Sequence, residues 1–67
     1  MENKKYKPNK KAINKIKNIY YKYRYYFESD AVRLNIVLML ILEGNLSQEE
    51  ALDIFNQWER ELSNNGN

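Results

Sequence analysis

The residues best suited to chemistry in this chain are basic and aromatic side chains that alternate in its first half. They recur on one side of the helical pattern between residues 10 and 27. Ammonium and guanidinium groups bind phosphate oxygens, and tyrosine rings stack on bases. The pattern predicts a nucleic-acid-binding face, and its residues are Lys10, Lys17, Tyr21, Lys22, Arg24 and Tyr25.

The same face also suits a protein partner, because Tyr and Arg are common anchors of protein interfaces. In that alternative the chain is a regulator or inhibitor of another protein, of phage or plasmid type. Tyr21 and Tyr25 would then matter more than the lysines. A membrane surface is a less favoured partner for the basic helix.

Charge is divided unevenly along the chain. Residues 1–27 hold nine basic side chains and one acidic, a balance of +8, and residues 28–67 hold two basic and eight acidic, a balance of −6. Such a division indicates an anionic partner for the first half. The acidic half of the same chain, or of a second copy, is the alternative partner.

The sequence argues against catalysis. It contains no cysteine and no histidine, which excludes thiol nucleophiles, Ser-His pairs and the usual zinc sites. Glu50, Asp53 and Glu61 share neighbouring turns, but we interpret them as a solvated acidic face. We therefore expect a non-enzyme with no metal, no cofactor and no small-molecule substrate.

The first element that must position the basic face is a helix over about residues 10–27. Asn9 is a suitable N-cap, and Pro8 disfavours helix before it. Apolar residues then recur at spacings of three and four, which places them on one side of a helix; they are Ile13, Ile16, Tyr20, Tyr23 and Phe27.

A second helix is predicted over about residues 30–43. Between Ala31 and Leu42 only Arg33 and Asn35 are polar, so this helix needs neighbours on every side. Ser29 or Asp30 should cap its start, and Gly44 should supply the left-handed residue that closes it. The apolar run is too short to span a bilayer, which takes about 20 residues.

The last helix is predicted over about residues 47–63. Ser47 and Glu50 form a capping box, and Leu46 is placed to pack on Ala51 as a hydrophobic staple. Its apolar stripe consists of Ala51, Phe55, Trp58 and Leu62. The fold class is therefore all-α with three helices.

Two short amphipathic helices cover the central helix incompletely, and a chain of 67 residues buries a small core. We therefore expect an obligate homodimer. The residues predicted to form the dimer core are Ile36, Val37, Met39, Leu40, Phe55 and Trp58.

An alternative fold follows from the tyrosines between Tyr20 and Phe27, because tyrosine favours strands. A strand there, followed by two helices joined at Gly44, is similar to the ribbon-helix-helix family of DNA-binding dimers. The resemblance covers about residues 20–63, and it implies that Lys22 and Arg24 read bases from a paired strand.

The domain organisation predicted from these patterns is simple. Residues 1–9 form a flexible basic arm, residues 10–63 a single helical domain, and residues 64–67 a disordered tail. No secretory signal pattern precedes the apolar run, so we expect a cytoplasmic protein. The Lys, Asn, Ile and Tyr bias is typical of an AT-rich genome, bacterial or phage.

Overall fold

Three helices make up the fold of the computed structural model, which describes residues 7–65. They are α1 (Lys10–Tyr23), α2 (Ser29–Leu42) and α3 (Gln48–Asn65). α2 is the middle element and packs against both α1 and α3. The prediction of an all-α chain with three helices is confirmed, and within the described residues there is no strand.

α1 begins as predicted and ends earlier. The side-chain Oδ1 of Asn9 accepts a hydrogen bond from the Ala12 amide at 3.2 Å, which confirms the N-cap. The helix stops at Tyr23, four residues before the predicted end, and the Tyr26 amide donates to the Tyr23 carbonyl in a turn at 3.0 Å. Aromatic residues favour helix only weakly, and the chain must reverse here for α2 to pack against α1.

The strand of the alternative fold is absent. Residues 20–23 are the last turn of α1 and residues 24–26 form a turn. The ribbon-helix-helix interpretation is therefore wrong for these residues, and Lys22 and Arg24 do not lie on a strand. The helical period that begins at Ile13 prevails over the strand preference of tyrosine because it buries Ile16 and Tyr20 on one side.

Two details at the ends of α2 differ from the prediction. The N-cap is Glu28, not Ser29 or Asp30, and its side chain makes no capping hydrogen bond. At the other end the left-handed residue is Asn45, with φ 58°, and φ of Gly44 is not positive. Asparagine tolerates this conformation better than most residues. Gly44 is required for a different reason, which is space.

α3 starts with the predicted capping box. The Glu50 amide donates to the Ser47 hydroxyl at 3.1 Å, and the Ser47 amide donates to the Glu50 carboxylate at 2.9 Å. Leu46 and Ala51 are both buried, as a hydrophobic staple requires. The helix continues through Asn65, two residues beyond its predicted end, and the disordered tail stays a prediction. Residues 1–6 of the predicted arm and 66–67 of the predicted tail lie outside the described residues.

The core lies where all three helices meet. An aromatic group joins α1 to α3, since the ring centroid of Tyr20 is 5.1 Å from that of Phe55 and 6.1 Å from that of Trp58. The buried residues of this core are all apolar or aromatic: Ile16, Tyr20, Ile36, Val37, Leu40, Leu46, Ala51, Phe55 and Trp58.

The residues predicted to form a dimer core therefore lie inside a single chain. Five of the six are buried there, and Met39 is half-buried. The third side of α2 that was expected to lack cover does lack it, but it carries other residues. Leu34 is 63% exposed, Leu38 45% and Leu42 72%.

Candidate nucleic-acid interface

The outer face of α1 is determined by what its inner face buries. Ile16 and Tyr20 point into the core, with Ile13 and Ile19 half-buried beside them. The positions on the opposite side of the helix are exposed, and they are Lys11, Asn14, Lys15, Asn18 and Lys22. Three of these five are lysines. We call Lys11, Lys15 and Lys22 the lysine face.

Two residues of the predicted site are directed to α3 instead. The Lys17 ammonium lies 3.6 Å from the Glu61 carboxylate. The Tyr21 hydroxyl donates to the same carboxylate at 3.2 Å, and Lys17 lies 5.6 Å from the centroid of the Tyr21 ring. This half-exposed ion pair is worth little on its own, about 1 kcal/mol at most. Lys17 and Tyr21 thus form a contact between the basic and acidic halves of the chain.

The other predicted site residues remain accessible. Lys10 and Lys22 are exposed, and the Lys22 ammonium lies 5.6 Å from the centroid of the Tyr23 ring. The Arg24 guanidinium stacks over the Tyr25 ring at 4.3 Å, and that ring is 80% exposed. An exposed tyrosine covered by an arginine on one side can offer the other side to a base.

The structure divides the predicted site in two and adds residues that the prediction omitted. Lys10, Lys22, Arg24 and Tyr25 stay on accessible surface, whereas Lys17 and Tyr21 contact α3. Lys11 and Lys15 were missed. The available signal was the apolar stripe itself, because both residues lie on the side of the helix opposite Ile13 and Tyr20.

The two tyrosines on the inner side of α1 have raised pKa values. Burial raises the pKa of Tyr20, and the charge of Glu59 raises it further. Loss of hydration also raises the pKa of Tyr21, followed by its hydrogen bond to the Glu61 carboxylate. In both cases the neutral hydroxyl is the favoured form in the folded chain.

These pKa shifts predict a loss of stability in alkali. A tyrosine whose pKa is raised in the folded state ionises first in the unfolded chain, near the ordinary value of 10.0. Its contribution is therefore fully present below pH 10 and falls as pH rises above that value. We expect Tyr20→Phe to reduce the stability lost between about pH 8 and about pH 11, measured by urea unfolding. Tyr25→Phe is the control because it removes a hydroxyl without touching the core, and an equal effect of both changes would contradict the prediction.

Comparison with protein-family models, with curated proteins and with solved structures finds no match to this chain. Among the described residues there is no group of three or more side chains placed to hold a metal ion. Within the same residues, none of the three helices combines the length and the apolarity that crossing a membrane requires.

Proposed function

We propose that this chain is a small, non-enzymatic, dimeric regulator in the cytoplasm that binds nucleic acid through the lysine face of α1. The observation that supports this most directly is the position of Lys11, Lys15 and Lys22. All three are exposed along one line of the helix, and within residues 7–65 the structure records no ion pair for any of them. Among the described residues of the acidic half, no carboxylate pairs with this line.

The dimensions of the lysine face suit a phosphate backbone. Eleven positions separate Lys11 from Lys22, which corresponds to about 16 Å along the helix. Lys10 and Arg24 lie on the other polar strip of the helix, which borders α3, and Tyr25 follows in the turn after α1. Contacts of this kind fix the position of a protein on nucleic acid and supply most of its non-specific affinity.

Reversing the lysine face tests this function. In the variant Lys11→Glu/Lys15→Glu/Lys22→Glu we expect the affinity for short oligonucleotides to fall by about 100-fold or more at about 50 mM salt. The slope of log affinity against log salt should shrink by about three, one for each lost phosphate contact. Fluorescence anisotropy of labelled duplex and single-stranded oligonucleotides, repeated at about 200 mM salt, measures both quantities.

Lys17→Gln is the matched control for the triple variant. Lys17 is on the same helix but already contacts Glu61, so its removal should weaken binding by less than about threefold. A triple variant that binds as tightly as the unmodified chain would rule out the lysine face. If Lys17→Gln weakened oligonucleotide binding more than the triple variant did, the site predicted from the sequence would be favoured instead.

A second candidate function is a protein-interaction module, and the turn after α1 favours it. Tyr25, Tyr26 and Phe27 are 80%, 72% and 62% exposed. Beside them is an apolar cavity of about 230 Å³ between α1 and α2, whose lining includes Tyr23, Phe27 and Met39. Exposed aromatic rings next to a groove are typical of interface anchors. If the chain binds no oligonucleotide at low salt, the protein-interaction module becomes the better supported of the two functions.

A further inference from the structure

Three leucines form a ridge on the side of α2 that neither α1 nor α3 covers. Leu34, Leu38 and Leu42 are 63%, 45% and 72% exposed, and they follow one another at intervals of four residues. Residues at this spacing line up along the helix surface. The ridge is therefore a continuous apolar strip rather than scattered exposed residues.

The neighbours of α2 leave this ridge open. On one side, Asn35 and Met39 line the cavity shared with Ile19 and Tyr23 of α1. On the other side, Val37 is buried about 100° around the helix from Leu38, where α3, the other neighbour of α2, must lie. The leucine ridge lies between these two contacts on the surface of α2. α1 therefore packs on one side of the ridge and α3 on the other.

We infer that the leucine ridge is the interface with a second copy of this chain. Ridges made of residues four apart pack into the grooves of an identical helix in the commonest class of helix crossing. The ridge is symmetric about Leu38, so an interface related by a two-fold axis can place Leu38 against its own counterpart. Beside the ridge, the Asn35 side-chain amide donates to the Ala31 carbonyl at 2.9 Å.

The exposed area of the ridge is small compared with that of a stable dimer interface. The three leucines expose on the order of 300 Å² of apolar side chain, which is at the low end of the range of functional patches. A standard interface buries about 800 Å² on each partner. We therefore infer a reversible dimer with a dissociation constant in the micromolar range, not an obligate one.

The charges around the ridge favour a second copy over a lipid surface. Exposed Asp30 and Glu43 lie at the two ends of α2, and α3 carries five carboxylates along its length. An anionic membrane would be repelled by these groups, because membrane-bound amphipathic helices place lysine and arginine beside their apolar face.

The experiment uses the position of Leu38 near the symmetry axis. Analytical ultracentrifugation from about 1 µM to about 500 µM should show a monomer–dimer equilibrium for the unmodified chain. Leu38→Lys and Leu38→Glu should each raise the dissociation constant by at least about 100-fold. An equimolar mixture of the two should recover a dimer, because lysine then faces glutamate across the axis.

Controls separate this inference from folding and from other partners. Far-UV circular dichroism checks that each variant is helical, and Leu34→Lys/Leu42→Lys replaces the Leu38 variants if those unfold. Gln57→Lys, at an exposed position of α3, should leave the equilibrium unchanged. The inference is overturned by a chain that stays monomeric over the whole range, by variants that still dimerise, or by leucine-dependent flotation with anionic vesicles. The nucleic-acid hypothesis can fail without affecting any of these results.

Discussion

Replacing Phe55 by alanine is expected to leave the chain largely unfolded at room temperature. Phe55 is 1% exposed and is among the largest side chains that the core buries completely. Its ring lies 5.1 Å from the Tyr20 ring, so it links α3 to α1. Deleting a buried phenylalanine removes about 3–5 kcal/mol of stability. A domain of this size has about 3–10 kcal/mol in total.

Urea unfolding followed by circular dichroism measures this effect. Phe55→Leu keeps most of the buried volume, and we expect it to destabilise the fold by about 1–2 kcal/mol. Asn56→Ala is the control on the same helix because Asn56 is exposed, and its effect should stay within about 0.5 kcal/mol. If Phe55→Ala lost no more stability than Asn56→Ala, the aromatic contact between α1 and α3 would not exist in solution.

The local features of the fold could be predicted because they depend on neighbouring residues. Asn9 caps α1 and the Ser47–Glu50 box caps α3, both through bonds that span three residues. The end of α1 could not be predicted in this way. Tyr23 and Phe27 continue the apolar spacing, yet they are 40% and 62% exposed. The place where the chain turns depends on how α2 packs back on α1, which local sequence does not encode.

The dimer prediction shows that helix patterning can predict an uncovered side of a helix but not the residues on it. A helix that is apolar all round must be covered on all sides, and α2 does retain an open side. Which residues lie on that side depends on the positions of α1 and α3. Ile36 and Leu40 are buried within one chain, whereas Leu34 and Leu42 are exposed. Uniform apolarity gives no means of choosing between these two pairs.

The candidate site was partly predicted for a similar reason. Lys10, Lys17 and Arg24 are seven residues apart, which keeps them on one strip of the helix with a small drift. That strip borders α3, and Glu61 lies against its middle at Lys17. The lysine face is on the strip opposite the core. Distinguishing the two strips required the position of α3, because both are polar.

Gly44 provides the second large effect, and the reason is space rather than backbone freedom. A Cβ atom at this position would lie 2.6 Å from the Leu40 carbonyl oxygen and 3.1 Å from Cγ1 of Ile13. The first of these is a backbone atom held by α2, so it cannot move away at little cost. The Gly44 carbonyl also accepts the Asn9 amide at 2.9 Å, which joins the start of α1 to the end of α2.

We therefore expect Gly44→Ala to destabilise the fold by about 3 kcal/mol, as overpacking against a fixed backbone does. This outweighs the gain of about 0.4–1 kcal/mol that an alanine provides by restricting the unfolded chain. Thermal and urea unfolding measure the difference.

Asn45→Gly is the matched control, because Asn45 holds the left-handed conformation at φ 58° and glycine adopts it freely. A change within about 0.5 kcal/mol is expected there. The opposite ranking of the two variants would mean that position 44 accepts a Cβ atom, and that α1 does not pack closely against it.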